Sequence, residues 1–129
     1  MKVFFAGLML LFAGAANAQT AADYVQECSD QQACSADLKE FTRWFPKAMR
    51  GDYQAQRNVS FCLSDGCNGA VRKLPITACA WRLVIIASGN KDVDQTDTMN
   101  AKFRCGGLDD LEKQAAVAQA ETLMKKIKR

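Results

Sequence analysis

Six cysteines in a chain of 129 residues, with no histidine anywhere, constrain this protein more than any other feature. The cysteines stand at positions 28, 34, 62, 67, 79 and 105. A chain of this length is expected to form one domain and can bury a core of its own, so cysteines need not substitute for one. Their meaning depends on the compartment, and the start of the chain bears on that. Residues 1–18 carry Lys2, then an apolar stretch over 3–12, then small residues ending in Ala16-Asn17-Ala18. A positive start, a hydrophobic middle and a small-x-small end describe a secretory signal peptide cleaved after Ala18. The apolar stretch falls short of the ~20 residues a membrane-spanning helix needs, and Gln19-Thr20-Ala21 does not continue it. The expected product is a single domain over residues 19–129, periplasmic or secreted from a bacterium, with no membrane span. Removing Lys2 lowers the net charge from +3 to +2, too weak a balance to argue for nucleic acid.

All six cysteines fall in the exported part, and an even count there implies disulfides. Their spacings of six, twenty-eight, five, twelve and twenty-six residues include no C-x-x-C, which argues against a zinc site and against a thiol–disulfide enzyme. Six cysteines allow fifteen pairings, and spacing does not choose among them. The missing histidine removes the Ser-His-Asp and Cys-His nucleophile pairs, imidazole acid–base catalysis, histidine metal sites and attached haem. No phosphate loop, nucleophile elbow or metal box is present, and no cofactor is expected. Asp109, Asp110 and Glu112 form no spaced carboxylate pair of the kind hydrolysis uses, and a helix start accounts for them. Asn58-Val59-Ser60 matches the glycosylation pattern only by chance, in a helix of a bacterial-looking protein.

The periodicity is helical throughout, so the fold class is expected to be all-α, in helical hairpins. A short helix is expected over residues 21–27. Ser35 is the expected N-cap of the next helix, which carries Leu38, Phe41, Trp44 and Phe45 and should end or kink at Pro46. Gly51-Asp52 reads as a stop and a new cap, followed by Ala55, Val59, Cys62 and Leu63 on one face. Asp65-Gly66 ends that helix, Pro75 opens the next, and Gly89-Asn90 closes it. Thr96 or Asp97 should cap a short helix carrying Met99 and Phe103, stopped at Gly106-Gly107. The last helix, over about 108–128, should turn Leu108, Leu111, Ala115, Ala118 and Leu123 inward. Its acidic start and basic end match the helix dipole.

Residues 41–89 carry a more specific pattern. Trp44-Phe45-Pro46-Lys47-Ala48, Gly51-Asp52, Ala55-Gln56, Asn58-Val59 and Asp65-Gly66 are followed by Ala78, Trp81, Ala87 and Gly89 in order. This resembles the Sel-one-like repeat family, a branch of the tetratricopeptide-like helical solenoids, in a cysteine-containing, bacterial secreted form. In such a repeat, alanines let paired helices approach, aromatic residues fill the gap between hairpins, and glycines make the turns. The match has departures. Pro46 is unusual, one residue is missing between Ala48 and Gly51, Ser60 replaces a glycine, and Arg72-Lys73 replaces an acidic position. Residues 97–103 look like the start of another unit and the last helix like a terminal cap.

A solenoid needs about three repeats, so disulfides are expected to offset the shortage here. On that reading, Cys62 or Cys67 pairs with Cys79 across the hairpin, Cys105 ties the cap to it, and Cys28 with Cys34 closes a local loop. The resemblance implies a non-catalytic protein-interaction or scaffold module whose partner is another protein or peptide. Contacts would come from the inner faces of the first helices of each pair. Trp44 and Trp81 are expected in the core and not on a stacking surface for a ligand. Two alternatives are a secreted effector or inhibitor of another protein, and a cell-wall or β-lactam-related enzyme. The enzyme would need a histidine-free mechanism, and no S-x-x-K motif supports one.

Overall fold

Glycine, proline and aspartate set most of the helix boundaries, with Pro46 the exception. The structure, a computed structural model, describes residues 19–29 and 31–127; the expected signal peptide over 1–18 lies outside the described residues. Among the described residues, five α-helices follow a single 3-10 turn at Ala21–Asp23: α1 (Gln32–Ala48), α2 (Tyr53–Asp65), α3 (Pro75–Ala87), α4 (Gln95–Gly106) and α5 (Asp110–Lys126). The fold is all-α, as the periodicity implies. The Asp52 carboxylate accepts the Ala55 N–H at 2.8 Å and caps α2. Gly66 ends α2 at φ +87°, where a Cβ would also lie 3.0 Å from the Lys73 side chain. Pro75 opens α3 at a position where its missing N–H costs nothing.

Four boundaries differ from expectation. Residues 21–27 form the 3-10 turn and then extended chain, not a helix. Val25 pairs antiparallel with Val71, and Gln26 N–H donates to Ala70 O while Arg72 N–H donates to Tyr24 O. Tertiary pairing overrides local propensity there. Helix α1 begins before Ser35, after Gln31, with no side-chain cap. It also runs through Pro46. The proline is exposed and sits in the last turn, so it forfeits one hydrogen bond near an end and little else. Helix α4 is capped by Asp94 instead of Thr96 or Asp97, and Asp97 closes the reciprocal half of that capping box.

Helix α3 is the centre. It packs against α2, α4 and α5, while α1 packs on α2 and on the 3-10 turn. Its buried residues, Ala78, Cys79, Ala80, Trp81, Arg82, Val84 and Ile85, leave little of its circumference to solvent. A run of aromatic contacts crosses the core. Tyr24 meets Phe45 at 5.3 Å between ring centroids, Phe41 meets Phe45 at 5.9 Å, and Trp81 meets Phe45 edge-on at 6.1 Å. Ser60, the expected departure from glycine, is buried and donates its hydroxyl to Ala78 O at 3.1 Å. It thereby bonds α2 to α3 where a glycine would only let them approach. Helix α5 turns Ala116, Ala120 and Leu123 inward. Leu111 is 76% exposed instead of buried, and Ala118 is exposed too. Its alanines are too evenly spread for periodicity to fix the face.

The three disulfides are Cys28–Cys34, Cys62–Cys67 and Cys79–Cys105. The local loop between Cys28 and Cys34 is as expected, but no bridge joins Cys62 or Cys67 to Cys79. Residues five apart in a continuous helix would rise about 7.5 Å. Here Gly66 takes positive φ at the end of α2, turning the chain back so that Cys62 and Cys67 stand 5.0 Å apart at Cα. Cys79 is thus left for Cys105, which lies in the last turn of α4 and not at the start of the final element. This third bridge closes the longest loop, with 26 residues of separation. Loop-closure entropy gives it roughly 3.5 kcal/mol, against roughly 2 kcal/mol for each short one. Among the described residues, no helix is long and apolar enough to cross a membrane.

Candidate functional site

Helix α4 buries only Asp97 and Ala101, so a carboxylate is half of what it contributes to the interior. Asp97 is 1% exposed and an isolated charge at such a site would be costly. Its Oδ2 accepts the Tyr53 hydroxyl at 2.5 Å and the Asp94 N–H at 3.1 Å. The Arg57 Nε lies 3.3 Å from Oδ1, close enough for charge attraction but outside good hydrogen-bond geometry, since Oδ1 has no hydrogen-bond donor. Arg57 also lies over the Tyr53 ring, 5.5 Å from its centroid. Burial, and then the bond to Asp97, push the Tyr53 phenol up from 10.0 to about 12.

Beside this group, α2, α3 and α4 enclose a cleft of about 330 Å³. Arg57 and Phe61 from α2, Arg82 from α3, and Asn100 and Arg104 from α4 line it, with Gln54 and Asn58 at its edge. Arg82 is 5% exposed, yet its Nε and Nη1 atoms have no hydrogen-bond partner among the described residues. Burial, followed by repulsion from Arg57 and Arg104, lowers its pKa, and Asp97 opposes the shift. Arg57 faces the Asp97 carboxylate, while Arg82 and Arg104 line the same cleft with no ion pair among the described residues. Arg104 stacks over Phe103 at 5.1 Å. It also lines an adjoining hollow with Phe103, Ser64 and Pro75. Phe61, Met99 and Phe103 are all exposed large apolar side chains, Phe103 at 73%. Of these, Phe61 lines the polar cleft and Phe103 the adjoining hollow.

The repeat-signature residues build the frame more than the cleft. The Ala48 carbonyl accepts the buried Gln56 amide at 3.2 Å. Gly51 and Gly89 take positive φ in the turns, like Gly66. Ala55, Ala78 and Trp81 are buried, while Ala87 is exposed and Trp44 half-buried. Fully buried Trp81 offers no stacking face to a ligand. Of the signature residues only Asn58 reaches the cleft, where its Oδ1 accepts the Gln54 amide at 3.0 Å. Tyr53, Arg57, Arg82, Asp97 and Arg104 escaped the sequence reading. The available signal was Arg82 itself, a lone charge inside the apolar helix PITACAWRLVIIA.

A second hollow, of about 230 Å³, lies between the 49–52 turn and the ends of α3 and α5. Arg50 is its one charged residue, and it contains no buried unpartnered side-chain polar atom. Among the described residues no group of three or more Cys, Asp or Glu is arranged to hold a metal ion. No protein-family model, curated protein or solved structure matches this chain.

Proposed function

We propose that this chain is an exported, non-catalytic helical-repeat module of the Sel-one-like type that binds another protein through the face formed by α2 and α4. The observation that carries this reading is the cleft between those helices, with exposed Phe61 in its lining and exposed Phe103 in the hollow beside it. Exposed aromatic side chains beside arginine are characteristic of protein-binding surfaces. The family resemblance points to the same helices, because α2 and α4 take the place of the first helices of successive pairs. The disulfides support passage through an oxidising compartment, and the leader-like residues 1–18 support export by a cleavable signal.

The test is a gentle affinity capture from a periplasmic extract and, in parallel, from a secretion medium containing the proteins of host or competitor cells. A resident scaffold retains a partner from the first. A secreted effector or inhibitor retains one from the second. In either case Phe61→Ser with Phe103→Ser should release it. If neither source yields a partner sensitive to those substitutions, the binding-module reading fails.

A further inference from the structure

Arg82 poses a definite chemical problem. A guanidinium carries five N–H donors and no acceptor, and burying it without hydrogen-bond partners is expensive. Apolar helix α3 nevertheless places it at the cleft between α2 and α4, with Nε and Nη1 unpartnered among the described residues. Arg57 and Arg104 line the same space. Asp97 does not neutralise the set. Its Oδ2 is committed to Tyr53 and to the Asp94 backbone, and only Arg57 approaches its Oδ1. The unbalanced positive charge is thus concentrated on Arg82 and Arg104.

The planar guanidinium fork matches an oxyanion through paired N–H···O bonds. Asn100 adds an amide to the lining, and the Phe61 side chain supplies an apolar wall. A free inorganic ion would leave that wall unused, whereas an acidic residue followed by an apolar one would use both surfaces.

We infer that this cleft is a carboxylate-binding site, in which Arg82 and Arg104 take the acidic side chain or chain end of a peptide segment whose neighbouring apolar residue packs on Phe61. The inference rests on the proposed protein-binding role and specifies the chemistry of the partner.

The experiment uses the oxidised chain and the acetylated peptide Glu-Glu-Glu-Phe with a free terminal carboxylate. Its counterpart is Gln-Gln-Gln-Phe amide, and inorganic phosphate forms a third arm. Calorimetric titration should show binding of the acidic peptide that weakens as salt rises, and none of the amide peptide. Arg82→Met and Arg104→Gln should each weaken binding about tenfold or more. Arg104 is partly exposed, so its variant keeps the test decisive if Arg82→Met does not fold. The inference is overturned if both peptides bind equally, if neither binds, if phosphate binds and the acidic peptide does not, or if the arginine substitutions leave peptide affinity unchanged. Capture of a protein partner without acidic-peptide binding would reject the carboxylate site and leave the binding-module reading intact. Acidic-peptide binding without a captured partner would do the reverse.

Discussion

Helices α3 and α4 lie against each other and share a covalent link, but they are held in place by opposite means. Helix α3 is buried on most sides by aliphatic and aromatic packing, with Trp81 against Phe45. Helix α4 buries one alanine and one aspartate and leaves Met99 and Phe103 in solvent. Apolar burial is strong and tolerant of small shifts, whereas a buried carboxylate is stabilising only while its specific partners remain. The cleft lies where these two kinds of support meet, with a charge from the apolar helix facing charges from the polar one.

The largest effect should come from the apolar side. Trp81→Ala would leave a cavity in the central helix and cost about 3–5 kcal/mol, measured by denaturant unfolding of the oxidised protein. Replacing Cys79 and Cys105 together by alanine should cost roughly 2–4 kcal/mol. In hydrogen exchange the loss of protection should concentrate in α4 and spare α1 and α2; uniform loss would mean that α4 is held by more than its polar anchor and this bond. Asp97→Ala removes the acceptor of Tyr53 and of the Asp94 N–H and should cost about 1–3 kcal/mol, while Trp81 fluorescence reports an unchanged core.

The next effect depends on pH. Because the folded Tyr53 phenol is raised from 10.0 to about 12, the folded state holds that proton more tightly than the unfolded chain. Its contribution is therefore complete below pH 10 and is lost as pH rises from 10 toward about 12. Tyr53→Phe should remove this part of the alkaline loss, read as the difference between the two proteins' unfolding midpoints across that range. The smallest effect should be Phe103→Ser, within about 0.5 kcal/mol of zero. A larger destabilisation would show that this side chain supports the fold and is not free for a partner.

What could be read from the residues follows the same division. The turns at Gly51, Gly66 and Gly89 and the start at Pro75 were legible because each depends on one residue's own backbone preference. The buried face of α2 was legible because large apolar side chains recur at helical spacing, whereas α3 is buried on most sides and offers no single stripe to read. The inward face of α5 was legible only in part: Leu123 is buried as expected, but Leu111 and Ala118 face solvent, since alanines lie on several sides of the helix. Asp97 was hidden by its neighbours, because an aspartate near Asp94 reads as helix capping. It does serve that role, but its burial against Tyr53 depends on residues 44 positions away. The Cys62–Cys67 pairing required Gly66 to turn the chain straight back at the end of α2; the glycine announces a turn, but not where it aims the next side chain. The outcome for Arg82 depended on whether a buried partner awaited it, which only the three-dimensional arrangement answers.

The disulfides carry one further consequence, for biosynthesis. The cysteines are joined in consecutive order, first with second, third with fourth and fifth with sixth. When a polypeptide emerges from its amino end, every thiol that appears therefore meets its correct partner before any later competitor. An oxidase that joins thiols in order of arrival would make the final bonds directly, without the slow thiol–disulfide exchange that crossed pairings require. Maturation of this chain should accordingly depend on the oxidase that makes the bonds and be indifferent to the isomerase that repairs them.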